Sequence, residues 1–125
     1  ELIAGGRSNL TYRVTGADGT RFVLRRPPLG RVLATAHDMG REHRIISAVG
    51  KTDVPVAPAL GYCADESVNG APFYVMGFVD GLVLDSPAAG LAISPENRRR
   101  ASESLIDVMV KLHAVDPDAV NEPPA

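Results

Sequence analysis

Between residues 10 and 25 the chain alternates twice around a single short turn. Leu10, Tyr12 and Val14 alternate with Thr11, Arg13 and Thr15, the period-two pattern of a strand. Gly16-Ala17-Asp18-Gly19 is a turn. Phe22 and Leu24 then alternate with Arg21, Val23 and Arg25. A turn this short can join only antiparallel neighbours, because parallel strands need a long crossover. Pro27-Pro28 ends the hairpin, since proline cannot donate to a sheet ladder.

The rest of the chain extends this sheet. Leu2-Ile3-Ala4 reads as a short strand, Ala59 to Ala64 as another, and Pro72 to Val79 as a strongly apolar one. Asp65 to Gly70 reads as a polar turn, and Asp80-Gly81 breaks the last strand. A helix is predicted over roughly Ala34 to Val49, with Gly50 as its cap. Val54-Pro55-Val56-Ala57-Pro58 reads as an extended linker. Ser94-Pro95 opens a second helix: Ser as N-cap, Pro at the first helical position, Glu96 in the first turn. Leu105, Met109 and Leu112, with Ile106 and Val110 beside them, form a wide apolar stripe on it, and Pro117 closes it. The expected fold class is α+β: a five-stranded antiparallel sheet with one packed helix, then a second helix beyond the last strand.

Composition narrows the function. The 125 residues suffice for one modest domain with a core. A net charge of −2 is not that of a nucleic-acid-binding surface. Cys63 is the sole cysteine, which fits a reducing compartment and leaves no internal disulfide or multi-cysteine zinc site. No stretch has the length of a membrane-spanning helix, and a cytoplasmic location is expected. The chain begins with Glu1 rather than Met and trails off as Asn-Glu-Pro-Pro-Ala, the look of a piece of a longer protein.

Two features could carry chemistry. The first is Gly5-Gly6-Arg7-Ser8-Asn9, either an ordinary turn or a cradle for a phosphate. The second is Glu42. At about 100° per residue it points within roughly 30° of the mean direction of Met39, Ile45, Ile46 and Val49. A carboxylate there reaches solvent at the margin of the helix, or it needs a cationic partner. Arg25 is the partner that strand parity selects: Val23 and Arg25 share one face, and Phe22, Leu24 and Arg26 the other. Arg26 competes if the register slips. The remaining candidates are bland. His37, His43 and His113 show no metal-ligand spacing, and His43 reads as a helix-surface residue. Arg98-Arg99-Arg100 reads as a solvated face, and Asp80 and Asp85 as caps or as substrate contacts.

The order of these features resembles the amino-terminal lobe of a protein-kinase-like fold. More narrowly, the chain resembles the aminoglycoside phosphotransferase and choline kinase group, in the subgroup related to kinase-like domains fused to acyl-CoA dehydrogenases. The phrases GGRSNLTYRV, FVLRRPP, AHDMGREH, GAPFYVMGFVDG and LIDVMVKLHAVD carry the likeness, from about residue 2 to residue 120. It implies a nucleotide-binding lobe over residues 1–80, and a hinge exit with the first helix of the second lobe over residues 81–125. Gly5, Gly6, Ser8 and Asn9 become the loop over the ATP phosphates. Arg25 takes the place of the phosphate-holding lysine, and Glu42 that of its helix partner. Val23 would pack on the adenine and Met76 would back its pocket. The Gly77 carbonyl and the Val79 N–H would bond the base. Leu112-His113 resembles a packing motif of the family.

The resemblance places the family's catalytic Asp, the following Asn and the magnesium-binding Asp well after residue 125, and implies that nothing after His113 here supplies them. The resemblance thus implies a parent enzyme that moves the ATP γ-phosphate to a hydroxyl of a small molecule. Mg2+ would be bound in the second lobe, and this piece alone would be inactive and prone to self-association. No nucleic-acid or membrane partner is implied. A non-catalytic nucleotide-binding or regulatory module is the alternative, and a scaffold with an empty cleft a third.

Overall fold

A computed structural model describes residues 1–5, 9–28 and 38–120. Five strands form one antiparallel sheet: β1 (Leu2–Gly5), β2 (Leu10–Thr15), β3 (Arg21–Arg26), β4 (Ala59–Cys63) and β5 (Phe73–Gly77). Their spatial order is β1-β2-β3-β5-β4. The hairpin predicted from the alternation is present, with Thr11 opposite Arg25 and Arg13 opposite Val23. Its turn closes through Gly16 N–H to Thr20 O at 2.8 Å and Gly19 N–H to Gly16 O at 3.0 Å. Gly19 has φ of 83°, where a side chain is strained. Asp18 Oδ1 accepts from Thr20 N at 3.0 Å, and the hydrogen bonding to Thr20 holds its carboxyl below the usual range.

Helix α1 (Met39–Val49) packs on β4 and β5. It starts later than the apolar pattern suggests. Asp38 is extended, and its Oδ1 accepts from Arg41 N at 2.8 Å, so the helix is capped there. Residues 34–37 of the expected helix lie outside the described ones. The buried side of α1 is also rotated from the expected one. Met39 is fully buried while Ile45 is exposed. The helix thus presents Glu42 and His43 to the sheet. His43 is not a surface residue: it stacks on Tyr62 with centroids 5.8 Å apart and lies 6.2 Å from the Tyr74 ring.

Beyond the core the boundaries shift in small, physical ways. The polar turn contains one helical turn, α2 (Glu66–Asn69), capped by Asp65 and ended by Gly70 at φ 74°. Strand β5 is shorter than the apolar run, because ladder pairing ends at Gly77 opposite Phe22. A short helix, α3 (Pro87–Leu91), follows a Ser86 cap that composition alone did not signal. The long helix α4 (Pro95–His113) is capped by Ser94 as expected. It stops at His113, and Pro117 opens the short α5 (Pro117–Val120). The Arg98-Arg99-Arg100 run is not uniformly solvated. Arg98 Nη1 donates to the carbonyls of Gly90 at 3.1 Å and Ile93 at 3.0 Å, tying α3 to α4.

Candidate functional site

The site forms where β3, β5, α1 and the start of β2 meet. Strand parity puts Val23 and Arg25 on the face that receives α1. Arg25 Nε donates to Glu42 Oε2 at 2.8 Å, and Nη1 donates to Thr11 Oγ1 at 3.0 Å. Both members of the ion pair are about 30% exposed, so it is neither a screened surface contact nor a dry buried one. Arg26 points to the opposite face. It is buried, and its Nη1 donates to Asn69 O and Oδ1 at 2.5 and 2.9 Å. The competing partner for Glu42 is thereby removed.

Two further groups hold Glu42. Tyr74, on β5 opposite Arg25, donates its hydroxyl to Oε2 at 3.0 Å. Asn9, just before β2, donates from Nδ2 to Oε1 at 2.9 Å. Burial, then the negative charge of Glu42, push the Tyr74 hydroxyl up to about 12. Both carboxylate oxygens are thus engaged. Tyr74 and Thr11 were not visible as site residues in the sequence, because each sits in a strand pattern that packing alone explains.

The other expected residues are arranged as follows. Gly5 ends β1 and pairs with Leu10. Gly6 and Ser8 lie outside the described residues. Val23 is buried and pairs with Met76 on β5. Gly77 N–H donates to Pro58 O at 2.8 Å, and a Cβ on Gly77 would lie 2.6 Å from Pro58 Cγ. Only glycine lets the two segments come this close. Val79 follows in an exposed, irregular stretch. Just beyond it, Asp80 Oδ2 accepts from Arg21 Nη2 at 2.6 Å, and the Arg21 guanidinium lies 4.7 Å over the Phe78 ring. Asp80 is therefore held in an exposed ion pair with the first residue of β3. Among the described residues no three His, Cys, Asp or Glu side chains converge to hold a metal ion. Among the described residues no helix is long and apolar enough to cross a membrane.

The five-stranded antiparallel sheet with its helices is the α+β fold of a solved aminoglycoside phosphotransferase-like neighbour. The comparisons agree. The chain belongs to the phosphotransferase enzyme family, whose pattern matches residues 1–124. It superposes on a solved structure from Ralstonia eutropha, provisionally named an aminoglycoside phosphotransferase, with a TM-score of 0.71 and 33% identity, covering 97% of this chain and 33% of that one. It is 35% identical over 116 residues to acyl-CoA dehydrogenase family member 10 of Mus musculus, covering 93% of this chain and 11% of that protein. To acyl-CoA dehydrogenase family member 11 of Homo sapiens it is 34% identical over 112 residues, covering 89% of this chain and 14% of that protein. The chain therefore spans a small part of these relatives and a third of the solved structure.

Proposed function

We propose that this chain is the ATP-binding lobe of an enzyme that transfers the γ-phosphate to a hydroxyl of a small molecule. The observation that carries the reading is the Arg25–Glu42 pair, at 2.8 Å, with Asn9 bonded to Glu42. Glu42 takes Nε and Thr11 takes Nη1, so the fork of the guanidinium is fixed in direction. Nη2 makes no hydrogen bond to a described residue, and a planar cation held this way suits a phosphate oxygen. Val23 and Met76 offer apolar surface to a base. The Gly77 carbonyl and the Val79 N–H supply the acceptor and donor that an adenine edge needs.

ATP brings the phosphate that is transferred. This chain's own residues bind and orient it. Arg25 holds the phosphates, Glu42 holds Arg25, and the Gly-rich connection lets backbone N–H groups approach. Magnesium finds no carboxylate cluster among the described residues, and we place its ligands, with the general base, outside this chain. Residues 1–125 alone should then transfer no phosphate and bind ATP weakly. The acceptor is read only as a small-molecule hydroxyl.

The test is calorimetric titration of ATP into the full-length protein and its Arg25→Ala variant. Losing one charge-assisted contact should weaken ATP by about 10- to 100-fold. Equal affinity in both would overturn the reading. Tight ATP binding without phosphate transfer would favour the non-catalytic, regulatory alternative.

A further inference from the structure

Asn9 stands in the stretch expected to close over phosphates, yet its amide is turned the other way. The residue is 6% exposed, and Nδ2 donates to Glu42 Oε1 at 2.9 Å. A carboxylate can only accept, so the amide must present its NH2 group here. For Nδ2 to bind a phosphate through this bond, the phosphate would have to displace Glu42. We propose that Asn9 is a positioning residue for Arg25, acting through Glu42, an inference that rests on the reading of Arg25 as the phosphate-binding cation.

The physics lies in the two oxygens of one carboxylate. Oε2 receives both Arg25 Nε and the Tyr74 hydroxyl. Oε1 receives Asn9. The terminal torsion of a glutamate is broad and nearly two-fold, so contacts on one oxygen do not fix the plane of the group. Asn9 supplies the third point that does. With it in place, Oε2 stays aimed at Nε, and the guanidinium keeps its direction. Without it, Oε1 lies half-buried and loses a donor, which favours rotation toward water. Asn9 also leads directly into β2, two residues before Thr11, which accepts from Arg25 Nη1. Asn9 and Thr11 thus hold Glu42 and Arg25 from the same end of β2.

The experiment uses the full-length protein with 15N-labelled arginine. Hydrogen exchange of the Arg25 Nε–H is followed without nucleotide in the parent and in Asn9→Ala. ATP affinity is then measured in a cycle of Asn9→Ala, Glu42→Ala and the double variant. Asn9→Ala should speed Nε–H exchange and weaken ATP, each by roughly fivefold to tenfold. In the Glu42→Ala background the same substitution should change affinity by less than about twofold. Additive losses would mean that Asn9 meets the ligand by itself, and they overturn the proposal. Unchanged Nε–H exchange in Asn9→Ala also overturns it, and decides the matter alone if Glu42→Ala does not fold. If the parent binds no ATP while exchange still speeds up, the phosphate reading of Arg25 fails and the hold of Asn9 on Arg25 stands.

Discussion

Tyr74 shows how much one hydroxyl can settle. It is buried to 3% exposure, and its only polar group bonds the carboxylate that orients Arg25. Removing that bond in Tyr74→Phe should cost about 1.5 kcal/mol of stability at neutral pH, measured by urea unfolding. The pH dependence follows from its ionisation. The folded hydroxyl titrates near 12 against an ordinary value of 10.0. Above about pH 10 the unfolded chain gives up this proton and the folded chain keeps it, so the unfolded state binds fewer protons. Stability should then fall as pH rises from 10 to 12, and Tyr74→Phe should flatten that fall. An unchanged slope would mean that Tyr74 does not carry it. At this scale the sequence was readable where parity ruled: Val23 and Arg25 on one face, Arg26 on the other. It was silent on Tyr74 and on the aim of Asn9. A tyrosine in an apolar strand is explained by packing alone, and an amide's direction depends on a helix 33 residues away.

At the scale of elements, each misplaced boundary has a local cause. The apolar and small residues before Met39 continue a helical pattern, but Asp38 caps the backbone and starts the helix there. His43 reads as surface from the sequence because it lies off the side that Met39, Ile45, Ile46 and Val49 define. Tyr62 on β4 and Tyr74 on β5 face the helix, so that His43 stacks on Tyr62 with the Tyr74 ring tilted beside it. The end of β5 depends on an approach that no strand propensity records, that of Pro58 to Gly77. Gly77→Ala should place its methyl against the proline ring and cost about 1–3 kcal/mol. Thermal unfolding checks it: a variant as stable as the parent would show that β4 and β5 can separate without cost. The antiparallel sheet and the hairpin, by contrast, were legible, because alternation and short turns leave few alternatives.

At the scale of the whole molecule, Val23 and Tyr74 of the sheet and Met39 of α1 are buried, while α4 has no buried residue. Helix α4 leaves Leu105 61% exposed, with Ile106, Met109 and Val110 exposed beside it. Contiguous apolar surface of this kind drives association. We expect residues 1–125 to sediment above monomer mass, and Leu105→Glu with Met109→Glu to restore the monomer; a monomeric parent chain would contradict this. In the proposed function the rest of the molecule serves one geometry: a sheet that carries a cation, a helix that aims it, and a strand end at Gly77, running on to Val79, whose backbone would meet a base. The most direct measurement is NMR shift mapping of the full-length protein as ATP is added. The resonances of Arg25 Nε, Val23, Met76 and the Gly77–Val79 backbone should move together, with one saturation curve. ATP that binds while these signals stay still would contradict a nucleotide site between Arg25 and the end of β5.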